Sequence, residues 1–271
     1  MREATACADQ DAVLCRIEGR VGTLVLNRPQ ARNALSPELT DALITQLRAL
    51  DRDPQVKCIV VRGQGENFSA GGDVKSFSQA LELSPGERHD QFEKRLLIGS
   101  RLPNLILQAN KPVIVVTQGA VAGAGLALAL AADFTVCAAS SYFIAAHVHV
   151  GLSLDVGLSR LLVETIGIKQ AKRLALLGEK IDAAQALALG LVTEVVPDGE
   201  LDAVLEKLTQ RLAHGPQRAM QGSKTLLNAA AYSGLDGQLA EEARHIAACT
   251  ADADFEEGVR SMLEKRRPRF G

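Results

Sequence analysis

Paired cysteines are missing from this 271-residue chain. Its five cysteines, Cys7, Cys15, Cys58, Cys137 and Cys249, are odd in number and have no Cys-x-x-Cys spacing. That excludes both a disulfide framework and a thiolate zinc site. Long apolar runs are missing too. Asp133 interrupts the longest one, so no segment reads as a membrane span. An excess of one charge is lacking: 30 Lys and Arg stand against 32 Asp and Glu, a net −2, and no global field invites nucleic acid. The one basic knot, EKRRPRFG, lacks interleaved aromatics and reads as a solvated tail rather than an RNA surface. MREATACADQDA at the N-terminus carries acids and no apolar core, unlike a signal or transit peptide, so a cytoplasmic location is expected.

What is present suits a globular enzyme, with 47% hydrophobic and 23% charged residues. The length fits one large domain or a domain with an appended helical part. DAVLCRIEGRVGTLVLNRP reads as two strands around a Gly turn, ended by Pro29. A helix follows, with Ser36 as N-cap, Pro37 at its first position, and Leu39, Leu43 and Leu47 on one face. VKCIVVRG, KPVIVVTQG and DFTVCAAS read as buried strands, with a helical region around 88–108 between the first two. Strands alternating with helices predict a mostly parallel sheet. Beyond Gly157 only GLVTEVVP reads as a strand, and 201–212, 219–231, 238–249 and 255–265 carry helical periodicity.

VTQGAVAGAGLALALAADF poses the functional question. Three glycines at the mouth of a helix serve close packing, or they leave backbone N–H groups open to something outside the protein.

In this respect the chain resembles the crotonase (enoyl-CoA hydratase/isomerase) superfamily. NRPQARNALS is similar to the family's N-terminal turn beside the CoA adenine. NFSAGGDVKSF is similar to its first oxyanion loop and GAVAGAGLALALAADF to its second. AAQALALGLVTEVV and FEEGVRSMLEKRRPRF are similar to its late signatures. The resemblance implies an α/β crotonase (ClpP-like) fold, a ββα-type spiral core over 1–195 carrying the thioester site. A helical part over 196–271 is expected to serve oligomerisation and to complete that site. It further implies an acyl-CoA thioester substrate, no cofactor apart from that CoA, no metal, and a homotrimer or dimer of trimers. No nucleic-acid or membrane partner is expected.

Family chemistry passes through a thioester enolate, and two backbone N–H donors hold its oxygen. By the family pattern these are the N–H groups of Gly72 and Ala124. The glycines at 119 and 125 serve tight packing under either reading. Asp73 reads as the N-cap of the next helix. CoA contacts are expected at Arg28, Arg32, Ala70 and Lys75, with a solvated surface role as the other reading of the three cations.

Family hydratases hold two glutamates over the double bond. Their places are taken here by Ala127 and His147. The acid left in the two active segments is Asp155, and family isomerases and a dehalogenase carry an aspartate in this stretch. Asp155 therefore reads as a proton shuttle, with a helix N-cap as the competing role. His147 and His149 are two apart and would share one side of an extended segment. A metal pair, catalytic help from His147 and a hydrogen-bonded structural histidine all remain open; His89, His214 and His245 sit on polar helix faces. The expected activity is acyl-CoA double-bond isomerisation. The alternatives are a hydratase-like lyase using Asp155 with His147, a hydrolase or dehalogenase with Asp155 as nucleophile, and a non-catalytic acyl-CoA binder.

Overall fold

The computed structural model describes residues 11–230 and 235–271. Cys7, the N-terminal stretch up to residue 10 and the end of the 219–231 helix lie outside the described residues. Strands β1 (Val13–Glu18) and β2 (Val21–Leu26) form an antiparallel hairpin around Gly19, whose φ of +58° suits a residue without a Cβ. Helix α1 (Pro37–Arg52) starts as its sequence dictates. The Ser36 hydroxyl accepts the Leu39 N–H at 3.3 Å, and Leu39, Leu43 and Leu47 are buried.

Then come β3 (Cys58–Gly63), α2 (Val74–Ala80), α3 (Pro85–Gly99), α4 (Arg101–Gln108) and β4 (Val113–Thr117). Next are β5 (Ala120–Ala122), α5 (Ala124–Ala131), β6 (Phe134–Ala138) and β7 (Tyr142–Ile144). Helix α6 (Leu158–Leu177) kinks at Gly167, and β8 (Lys180–Asp182), α7 (Ala183–Leu189) and β9 (Glu194–Val196) follow it. After β9 the described elements are helical: α8 (Leu201–Ala213), α9 (Gln217–Ala229), α10 (Leu235–Thr250) and α11 (Ala253–Leu263).

The main sheet runs β1-β2-β3-β4-β6-β9, parallel from β2 onward, and a small second sheet runs β5-β7-β8. Alternation along the central strands gives each face its own core. Ile59, Val61, Val113 and Val115 point into the larger core with α1, α4, α5 and α6. Cys58, Val60, Ile114, Val116, Val136 and Ala138 point the other way and are covered by Leu201 and Leu212 of α8. Burial pushes the Cys58 and Cys137 thiols up to about 12, which leaves them unreactive.

A partly buried ion pair fastens α9 to this framework. Lys224 Nζ lies 2.7 Å from Asp133 Oδ2 and donates to the Ile106 carbonyl at 2.8 Å, while Asp133 also accepts the Val113 N–H. The polar residue that interrupts the apolar run thus closes the end of a strand and holds a C-terminal helix.

Two expectations change. Strand β8 has no counterpart in the sequence reading, because its three residues become a strand through antiparallel pairing with β7. The segment with His147 and His149 is a 3-10 turn, Ala146–Val150, ended by Gly151 in the left-handed region. The two rings therefore go to different partners.

Candidate active site

Two loops meet at the C-terminal ends of the parallel strands. Ser69 and Val121 pair as an isolated parallel bridge: Ser69 N–H donates to the Ala120 carbonyl and Ala122 N–H to the Ser69 carbonyl, both at 3.0 Å. Gly72 follows one bridge residue by three positions, and Ala124 follows the other by three. The contact needs small residues. A Cβ on Gly71 would lie 2.7 Å from the Ala122 carbonyl oxygen, and one on Gly125 would lie 2.8 Å from the Ser69 Cβ. Gly123 precedes α5 with φ +49° and ψ −120°, a conformation that a side chain would strain.

Ala124 opens α5, so its N–H has no place in the helix's own ladder. Among the described residues neither the Gly72 N–H nor the Ala124 N–H has a hydrogen-bond acceptor. Both residues line one cavity of about 650 Å³, within the range of small-molecule sites. Leu83, Phe92, Leu96, Leu102, Leu128 and Leu154 give it a largely apolar wall.

Asp155 stands on the same cavity. Its side chain caps no helix: Gly157 is the N-cap of α6, after two successive positive φ values at Val156 and Gly157. The N-cap reading of Asp155 is therefore corrected. The turn releases the carboxylate, whose Oδ1 lies 2.9 Å from His147 Nε2. His147 is buried behind it, against Gly123: a Cβ there would sit 3.7 Å from the ring Cε1. The ring therefore links Asp155 to the residue just before Ala124. A carboxylate only accepts, so Nε2 carries the proton, and Nδ1 has no partner among the described residues. His149 instead faces the Gly178 carbonyl at 2.9 Å.

The first loop is braced from the N-terminal turn. Asn33, buried at φ +53°, accepts the Arg28 N–H and donates to the Gln64 and Asn67 carbonyls. Arg28 lines the cavity, but Nη1 is given to Asp73 Oδ2 at 2.9 Å and the Ala34 carbonyl at 3.0 Å. Asp73 accepts the Lys75 N–H at 3.1 Å, as expected for the N-cap of α2. Burial raises the Asp73 carboxyl, yet the Arg28 hydrogen bond and charge outweigh it and leave it below its ordinary value.

Gly72, Ala124, Asp155, Arg28 and Lys75 thus share one cavity. Arg32 and Ala70 lie off its lining and are joined by the Ala70 N–H to the Arg32 carbonyl at 2.9 Å. Ala127 is fully buried and off the lining as well. Arg95 of α3 and Phe77 of α2 are on the wall and escape the sequence reading. Charged residues surround Arg95 along the helix and hide its inward direction. With two open N–H donors, a carboxylate and an apolar wall, the cavity can hold a developing oxyanion while a proton moves beside it.

A family model described as enoyl-CoA hydratase/isomerase matches residues 16–271. A trans-2-decenoyl-[acyl-carrier-protein] isomerase of Streptococcus mutans is 30% identical, covering 97% of this chain and 98% of its own length. A 1,2-epoxyphenylacetyl-CoA isomerase of Escherichia coli is 33% identical, covering 95% of this chain and 97% of its own. Among solved structures, an enoyl-CoA hydratase from Polaromonas sp. JS666 has a TM-score of 0.89 at 32% identity, covering 96% of this chain and 99% of that one.

Proposed function

The chain belongs to the enoyl-CoA hydratase/isomerase family, and on that premise we propose that it moves a carbon–carbon double bond in an acyl-CoA thioester. Asp155 is the proton carrier. One observation supports this reading above others: the Asp155 carboxylate shares a cavity with the two open N–H groups, while the places of both hydratase glutamates hold Ala127 and His147. That the Streptococcus mutans relative is named a trans-2-decenoyl-[acyl-carrier-protein] isomerase also supports it.

In the proposed cycle the thioester oxygen of a 3-enoyl-CoA accepts the Gly72 and Ala124 N–H groups. Asp155 takes a proton from C2, and the electron pair moves through the carbonyl carbon onto the oxygen. The resulting dienolate is held by the two donors and by the positive end of α5. Asp155, now the acid, returns the proton to C4 and leaves a 2-enoyl-CoA. Atoms and charge balance with no water and no cofactor beyond the substrate's CoA. His147 holds the carboxylate in place from behind.

We assign CoA contacts to Lys75 at the exposed side of the cavity and to Arg32 and Ala70 beside it, with Arg28 holding the loop through Asp73. The helices after β9 serve assembly into a trimer or dimer of trimers. Exposed Leu239, Ile246, Met262 and Leu263 on α10 and α11 support that assignment.

The test is to incubate the pure protein with 3-enoyl-CoA and 2-enoyl-CoA side by side in D₂O. Isomerisation yields the 2-enoyl thioester, with any label on carbon and no gain of water. A 3-hydroxyacyl product would mean hydration, free acid would mean nucleophilic hydrolysis, and binding without turnover would mean a non-catalytic role.

A further inference from the structure

Arg95 projects from α3, a helix with no buried residue among its described side chains, yet its own guanidinium is half-buried on the cavity wall. Among the described residues it makes no carboxylate ion pair within 4.0 Å. Instead it grips the surroundings of Gly72. Nη2 donates to the Leu35 carbonyl at 3.1 Å, and Leu35 is the bridge partner of Gly72. Nη1 donates to the Ser76 hydroxyl, which in turn donates to the Asp73 carbonyl at 2.6 Å. The guanidinium carbon lies 5.3 Å from the centre of the Phe77 ring. That ring presses on Gly72 itself, since a Cβ there would lie 2.7 Å from Phe77 Cζ. Phe92, three residues before Arg95 on α3, backs the ring with centroids 5.2 Å apart.

We propose that Arg95 is a positioning residue that fixes the Gly72 N–H by holding Leu35, Ser76 and Phe77 around it. The inference rests on the reading of Gly72 as an oxyanion donor. A bridge of one hydrogen-bonded partner leaves an irregular loop free to rotate its peptide planes, and a planar fork with five donors can fix both sides at once. Burial lowers the Arg95 guanidinium from its usual value, opposed by the charges of Asp73, Glu38 and Asp155; an arginine nonetheless stays charged. The contact also ties α3 to the donor loop. The α3 wall of the cavity and the alignment of its first donor are thereby one mechanical unit.

The test uses Arg95→Met, which keeps length and removes every donor, with Arg95→Lys as the conservative variant and exposed Lys94→Met as control. Each protein is mixed with a chromophoric unsaturated acyl-CoA. Two hydrogen bonds to the thioester oxygen polarise the conjugated system and shift its absorption to the red, whether or not the thioester turns over. A failure of the isomerase assignment therefore leaves this readout intact. Arg95→Met should lose at least half of the red shift, and kcat should fall roughly 10-fold or more with KM changed less than about 3-fold, because an oxyanion donor acts mainly in the transition state. Arg95→Lys should recover part of the shift, and Lys94→Met should match the parent. Where Arg95→Met does not fold, Ser76→Ala should show the same loss in smaller measure. A parental red shift in folded Arg95→Met, or in Ser76→Ala when Arg95→Met does not fold, overturns the proposal. A KM increase alone, with kcat unchanged, overturns it too.

Discussion

His147 Nε2 lies 2.9 Å from Asp155 Oδ1, eight residues along the chain, with the buried ring packed between the carboxylate and Gly123. One side chain therefore orders both the acid and the approach to the second N–H donor. Nδ1 has no partner among the described residues, so His147→Phe removes one hydrogen bond, the one to Asp155. The variant should remain folded and lose about 10-fold or more in kcat, since small displacements of a reacting group are costly. Its KM should barely move. Steady-state kinetics with circular dichroism reads both.

Ala124 occupies the first position of α5, where proline is well tolerated in helices. Ala124→Pro deletes the N–H assigned to the oxyanion and should reduce turnover by roughly 10²-fold or more. Parental turnover from a folded variant would remove Ala124 from the hole.

Ala127 is fully buried and off the cavity lining, so a glutamate there would place a carboxylate in the apolar core. Ala127→Glu should destabilise the protein by about 3 kcal/mol or more, the usual penalty for an unpaired buried charge. Chemical denaturation measures it. A stable Ala127→Glu protein would mean that the side chain reaches the cavity, and hydration of a short 2-enoyl-CoA would then be the assay to run.

The Arg28–Asp73 pair gives the first loop an acid limit. Burial raises the Asp73 carboxyl, but Arg28 outweighs it and the group titrates below its ordinary 3.8. A carboxyl lowered by folding contributes stability that is complete above its unfolded value and is lost as pH falls through the folded one. Wild type should therefore melt higher than Asp73→Asn at pH 7, and the gap should close at acid pH below about 4. A gap independent of pH would show that the charge of Asp73 adds nothing.

Local signals were enough for the parts of the fold with local causes. Ser36 and Pro37 begin α1, and the β-branched runs around Val60 and Val115 are the central strands. The small-residue loops around the cavity were legible too, because close approach excludes a side chain at Gly71 and Gly125, and the backbone turn at Gly123 needs a residue without a Cβ. Other features depend on distant partners. Asp155 before VGLSR has the local look of a cap, but Val156 and Gly157 turn the chain so that α6 starts late and the carboxylate swings to His147. Arg95 carries no signal of its own; only the packing of α3 against Phe77 and Leu35 shows where it points. Lys180–Asp182 is a strand solely because β7 lies beside it.

Replacing Asp155 by asparagine tests the central claim most directly. Asn keeps the size and still accepts from His147 Nε2, and no helix cap is lost, because Asp155 caps none. With 3-enoyl-CoA as substrate, Asp155→Asn should keep the parental melting temperature and lose at least roughly 10²-fold in rate, the usual worth of general acid–base catalysis. Isomerisation within a few-fold of the parent rate in the folded variant would contradict the account and take the proton from Asp155.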